Sequence, residues 1–71
     1  MIYKTIRRLI REGILAEPFR VDSVQRVSNV LARSPSFISK HAIGNPGGYT
    51  EYFERVGPGL YRLIEQYGHN K

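Results

Sequence analysis

Two β-prone runs, Tyr52-Phe53-Glu54-Arg55-Val56 and Leu60-Tyr61-Arg62-Leu63-Ile64, flank Gly57-Pro58-Gly59. Aromatic and β-branched residues around a glycine-containing three-residue turn predict a β-hairpin. A hairpin constrains everything before it, because alone it is marginal in water and needs a surface to cover one face. The chain has no cysteine, so neither disulfides nor a thiolate zinc site can supply that support. It has to come from helices. A register with Phe53, Val56, Tyr61 and Leu63 on the buried side requires a bulge near the turn.

Upstream of residue 45 the apolar period is helical. A first helix is expected over Ile2–Glu12, stopped by Gly13. At 100° per residue Ile2, Ile6, Leu9 and Ile10 share one arc, with Lys4, Arg7, Arg8 and Arg11 opposite. Glu17-Pro18 breaks the chain, and Phe19-Arg20-Val21 predicts a brief strand. Asp22 as N-cap, with Gln25 three residues on, predicts a capping box. The helix it opens, Ser23–Arg33, would bury Val24, Val27, Val30 and Leu31 and turn Arg26, Asn29 and Arg33 outward. Valine is a weak helix former, so this helix depends on tertiary contacts.

Ser34-Pro35 predicts a third helix, with serine as N-cap and proline in the first helical position. It would run Pro35–Ile43 and end at Gly44. Phe37, Ile38 and Ala42 face inward with His41 between them, while Ser36, Ser39, Lys40 and Ile43 project outward. Asn45-Pro46-Gly47-Gly48 is a loop. The expected fold class is therefore α+β. Three helices, a short strand and a C-terminal hairpin wing make a winged helix-turn-helix.

The 71 residues suffice for one domain, expected over 1–65, with 66–71 a polar, frayed tail. No apolar run approaches a membrane span, and the N-terminus lacks a signal-peptide core. The expected location is cytoplasmic, with no membrane partner.

Charge is placed unevenly. Lys4, Arg7, Arg8, Arg11, Arg20, Arg26, Arg33 and Lys40 stand against only Glu12, Glu17 and Asp22 before residue 49, whereas the remainder is balanced. The net charge of +5 points to a polyanion, nucleic acid being the commonest. In a helix-turn-helix the second helix of the pair enters the major groove. That makes Ser36, Ser39 and Lys40 candidates for bases or phosphates, and Ile43 for a thymine methyl. The backbone around Ser34 and Ser36 is a candidate phosphate clamp. Arg26, Arg33, Arg55 and Arg62 are candidate phosphate contacts. The basic face of the first helix reads equally as a phosphate surface or a solvated one.

Other chemistry has little footing. His41 and His69 have no partner at metal-ligand spacing, and there is no carboxylate pair, nucleophile elbow or phosphate-loop motif. Neither a cofactor nor a catalytic activity is expected.

Phe53-Glu-Arg-Val56-Gly57-Pro-Gly59-Leu-Tyr61-Arg62-Leu63 resembles the wing of HARE-type winged helix-turn-helix domains. It is more similar still to small prokaryotic relatives found alone or fused to restriction-type endonucleases, which also carry a segment like Phe19-Arg-Val-Asp22-Ser-Val24. The resemblance covers roughly Ile2 to Ile64, with only the wing distinctive. It implies double-stranded DNA binding, as a small transcriptional regulator or the recognition module of a larger system. One position departs: relatives tend to carry a basic residue at the tip, where this chain has Pro58. A proline offers phosphate neither charge nor N–H, which leaves Arg55 and Arg62 to serve the wing.

Two other readings stand beside this one. The domain could dock on protein within a larger nucleic-acid-processing assembly, or bind single strands through Tyr49, Tyr52, Tyr61 and Tyr67. A homodimer partner is also compatible, since winged helices often pair on palindromic sites.

Overall fold

A computed structural model of the chain describes residues 1–64. The boundary expected at 65 and the polar tail 66–71 lie outside the described residues. Helix α1 spans Ile2–Arg11 and buries Tyr3, Ile6 and Leu9. Ile2 and Ile10, expected in the core, are half-buried at its margin. Gly13 ends the helix as expected, with φ +76°. Its N–H donates to Ile10 O at 3.0 Å and that of Ile14 to Leu9 O at 2.9 Å, the paired bonds of a Schellman cap.

Phe19 carries all that forms of the expected strand: a single antiparallel bridge to Tyr61. The strand cannot extend because α2 begins at once, over Val21–Val27. Asp22 therefore lies in the first turn and does not cap it; Arg20 is the N-cap, without a side-chain bond. The helix also ends six residues short of Arg33. Ser28 is extended, φ −161° and ψ 149°, and its Oγ accepts the Val30 N–H at 3.1 Å, a local alternative that serine offers the backbone. Val27 is consequently 42% exposed rather than buried, while Val24 and Leu31 enter the core.

Tight turns then carry the chain to α3, Phe37–Lys40. This is one turn of helix, not the nine residues expected from Pro35 to Ile43. At its start the Ser34 carbonyl accepts the Phe37 N–H at 3.0 Å, and no side chain caps it. At its end the backbone is diverted into sheet-like pairing. His41 O accepts the Tyr52 N–H at 2.8 Å, and Ile43 N–H donates to Phe53 O at 2.9 Å.

Strands β1 (Phe53–Gly57) and β2 (Leu60–Leu63) form the hairpin. They pair antiparallel as Phe53↔Leu63, Glu54↔Arg62, Arg55↔Tyr61 and Gly57↔Leu60. The extra residue, Val56, is the expected bulge. It does not face inward: Val56 is 45% exposed, because a bulged residue leaves the alternation. Gly57 belongs to β1, so the turn is the two residues Pro58-Gly59. Gly59 has φ +68°, and proline followed by a positive-φ glycine is the order of a type II turn.

The described residues thus form a small α+β fold of three helices and a two-stranded antiparallel hairpin. One cluster joins them: Ile6 and Leu9 from α1, Val24 from α2, Ile38 from α3 and Phe53 from β1, with Leu15, Phe19 and Leu31. Phe19 and Phe53 meet edge to face at 6.0 Å. Among the described residues no helix is long and apolar enough to cross a membrane.

Phe53→Ala, which empties the centre of this cluster, is expected to cost about 3–5 kcal/mol. Val56→Ala, at an exposed bulge, should cost about 0.5 kcal/mol or less. Urea unfolding followed by circular dichroism measures both. Comparable losses would contradict the register.

Candidate nucleic-acid interface

The short α3 still divides its side chains as its sequence implies. Ile38 and Ala42 are buried, Phe37 and His41 are half-buried, and Ser36, Ser39, Lys40 and Ile43 are exposed. Ile43 presents 52% of its surface to solvent. The Ser39 hydroxyl donates to Ser36 O at 3.1 Å, which leaves its oxygen able to accept. Ser34 is half-buried and does not cap the helix. The helix begins at Phe37 with Ser36 as its N-cap, so of the two serines expected to flank a phosphate clamp Ser36 stands at the helix start and Ser34 precedes it.

Beside this face lies an aromatic stack. Tyr3 of α1 stacks on Tyr52 with centroids 4.1 Å apart and planes 12° from parallel. Tyr52 stacks on His41 at 5.3 Å, and His41 meets Phe37 at 4.2 Å and Tyr49 at 5.3 Å. Cations sit at both ends: the Arg7 guanidinium 5.8 Å from the Tyr3 centroid, and Lys40 Nζ 5.8 Å from that of Tyr49. Residues 3, 37, 41, 49 and 52 have no common period, so no local pattern announces the stack. His41 is anchored within it, its Nδ1–H donating to Thr50 O at 2.7 Å.

The loop from Gly44 holds Tyr49 against this stack. Asn45 Nδ2 donates to Ser39 O at 3.2 Å, and its Oδ1 accepts the Gly47 N–H at 2.8 Å. A Cβ on Gly47 would stand 2.6 Å from Tyr49 Cε2, so only glycine lets that ring settle there.

The candidate arginines differ in freedom. Arg62 is held by Glu54, with Nε and Nη2 at 2.8 and 2.7 Å from one carboxylate oxygen. Arg26 lies 3.6 Å from Asp22, with both side chains well exposed, a pairing of small energetic weight. Arg55 is exposed and its Nε donates to Gly57 O at 3.3 Å. Arg33 is exposed on the turn after α2. No hydrogen bond or ion pair found among the described residues joins Arg26 or Arg33 to the outer face of α3.

One basic residue at the wing was not among the candidates. Arg20 Nη1 donates to Pro58 O at 3.5 Å, bringing a guanidinium to the tip where the chain itself has proline. Only the Phe19–Tyr61 pairing places it there, and no local spacing signals that. Among the described residues no three His, Cys, Asp or Glu side chains group as metal ligands. No family model, curated protein or solved structure matches the chain.

Gly47→Ala is expected to expel the Tyr49 ring from His41 and Lys40 at a stability cost of about 1 kcal/mol or less, because an exposed ring can swing away where a buried one would strain the core. The readout is NMR: shifts concentrated at residues 40–50, with the Phe19 and Phe53 resonances unmoved.

Proposed function

We propose that this chain is a winged helix-turn-helix module that binds double-stranded DNA, as a small regulator or the recognition part of a larger system, and catalyses no reaction itself. The supporting observation is the outer face of α3. Ser39 and Lys40 on α3, Ser36 just before it and Ile43 just after it are all solvent-exposed, and Ile38 fixes the inner side of the helix in the core. In a major groove, Lys40 would meet a guanine edge or a phosphate, Ser39 a base edge, and Ile43 a thymine methyl.

The connectivity agrees with this reading. The Phe19 bridge to Tyr61 and the β1–β2 pairing place β2 between the Phe19 segment and β1. A hairpin so attached to three helices is compatible with a winged helix. The wing positions that carry the HARE-type resemblance have distinct parts in it: Phe53 in the core, Gly59 at positive φ, Tyr61 on Phe19. Arg55 and the tip-bound Arg20 would serve phosphates, which position a protein on the duplex without reading sequence.

The test is binding of a labelled duplex across salt concentrations. Lys40→Ala is expected to lower affinity several-fold and reduce the slope of log K against log salt by about one. Lys40→Arg should restore the slope, and Lys71→Ala should change little. Failure of the wild-type protein to bind any duplex at low salt would refute the reading.

A further inference from the structure

The outer face of α1 carries Lys4, Arg7, Arg8 and Arg11, at positions i, i+3, i+4 and i+7. With Met1 and Thr5 they line an open groove of about 320 Å³. Tyr3, Ile6 and Leu9 occupy the buried side; Lys4, Arg8 and Arg11 are exposed, while Arg7 lies half-buried over Tyr3. Among the described residues Arg8 alone of the four has a carboxylate partner, Glu12 at 3.3 Å. Among the described residues none is found within ion-pair distance of Lys4, Arg7 or Arg11.

Helix stability does not account for this pattern. Arg8 and Arg11, in the last turn, suit the negative end of the helix dipole. Lys4 does not: it lies in the first turn, which contains no acid and where positive charge is disfavoured. Lys4–Arg8 and Arg7–Arg11 are like-charge pairs at i, i+4, a spacing that destabilises a helix. Four mutually repelling cations lining one groove make sense when a polyanion meets them.

We propose that this face is a second nucleic-acid surface, following a phosphate backbone separately from α3. It rests on the reading of the chain as a nucleic-acid binder, not on α3 being the reader. Lys4 to Arg11 spans about 10.5 Å of helix, long enough for the stripe to meet more than one phosphate of a strand. An anionic bilayer fits less well. A surface-lying helix must insert its apolar side, and here that side is Tyr3, Ile6 and Leu9, already buried.

The test compares the full chain with Lys4→Gln/Arg8→Gln/Arg11→Gln and with Lys40→Ala. Each is titrated into a labelled 20-base-pair duplex between about 50 and 200 mM salt, and into phosphatidylserine vesicles. Arg7 is left in place because it covers Tyr3. Thermal unfolding checks each fold, and Lys4→Arg/Arg8→Lys/Arg11→Lys supplies a charge-preserving control. The expected result is a salt slope smaller by about two to three for the triple glutamine variant, at 0.9 per phosphate contact, and unchanged for the control. An unchanged slope and affinity with glutamine, while Lys40→Ala weakens binding, would overturn the α1 surface and leave the α3 reading standing. Loss in the α1 variant with none in Lys40→Ala would do the reverse. Vesicle binding that needs the α1 cations, with duplex binding that does not, overturns the proposal in favour of a lipid surface. A wild-type protein that binds no duplex overturns both.

Discussion

Two backbone hydrogen bonds between Phe19 and Tyr61, each 2.8 Å long, hold the hairpin on the helices. They dock β2 against the segment that leads into α2, and they place the Phe19 ring edge-on to Phe53 at the centre of the core. Glu17 reinforces the same junction by accepting the Leu63 N–H at 2.8 Å. Neither part would stand alone. A two-stranded hairpin is marginal without a covering layer, and helices of seven and four residues are far below the length at which isolated helices persist. Buried side chains from α1, α2, α3 and β1, with Tyr61 and Leu63 of β2 packed half-buried against them, are what make the short elements stable.

That dependence explains which parts of the fold were legible in the sequence. The hairpin, its bulge and α1 are local: turn residues, period and the Gly13 stop specify them within a few positions. The second and third helices are shorter than their patterns imply because nonlocal or competing bonds take the backbone first. Ser28 captures the Val30 N–H and ends α2. The exchange between His41–Ile43 and Tyr52–Phe53 claims the residues that would have extended α3. Val27 and Val56 are exposed for separate local reasons: Val27 is the last residue of the shortened α2 and Val56 the bulged residue of β1. Tyr3 is the converse case: a polar aromatic that enters the core because Tyr52 stacks on it.

The candidate site was legible to a similar degree. The exposure of Ser36, Ser39, Lys40 and Ile43 survives the shortening of α3, because one helical turn and its flanking turns suffice to orient them. What sequence could not rank was the cations. Every carboxylate among the described residues has an assigned partner: Glu12 and Arg8, Asp22 and Arg26, Glu54 and Arg62, Glu17 and the Leu63 N–H, Glu51 and the Gly44 N–H. The acids thus tie down the structure locally and do not neutralise the chain as a whole. The cations they leave over are Lys4, Arg7 and Arg11 on α1, Arg20 and Arg55 at the hairpin, Arg33 after α2 and Lys40 on α3, and together they would supply the field that the proposed polyanion meets.

The wing tip shows why charge has to be assigned by place. Judged by position in the sequence, Pro58 removes the basic residue expected there and weakens the wing as a phosphate contact. In the fold, Arg20 reaches that tip and bonds to the Pro58 carbonyl. Its guanidinium passes beside Gly59, where even a Cβ would stand at an ordinary 3.5 Å from Nη1, so it is the positive φ that calls for glycine there. The stiff Pro58-Gly59 turn then acts as a seat for an arginine supplied from the N-cap of α2. If the hairpin contacts phosphate as proposed, the charge at its tip would be that of Arg20, delivered by a different segment of the chain.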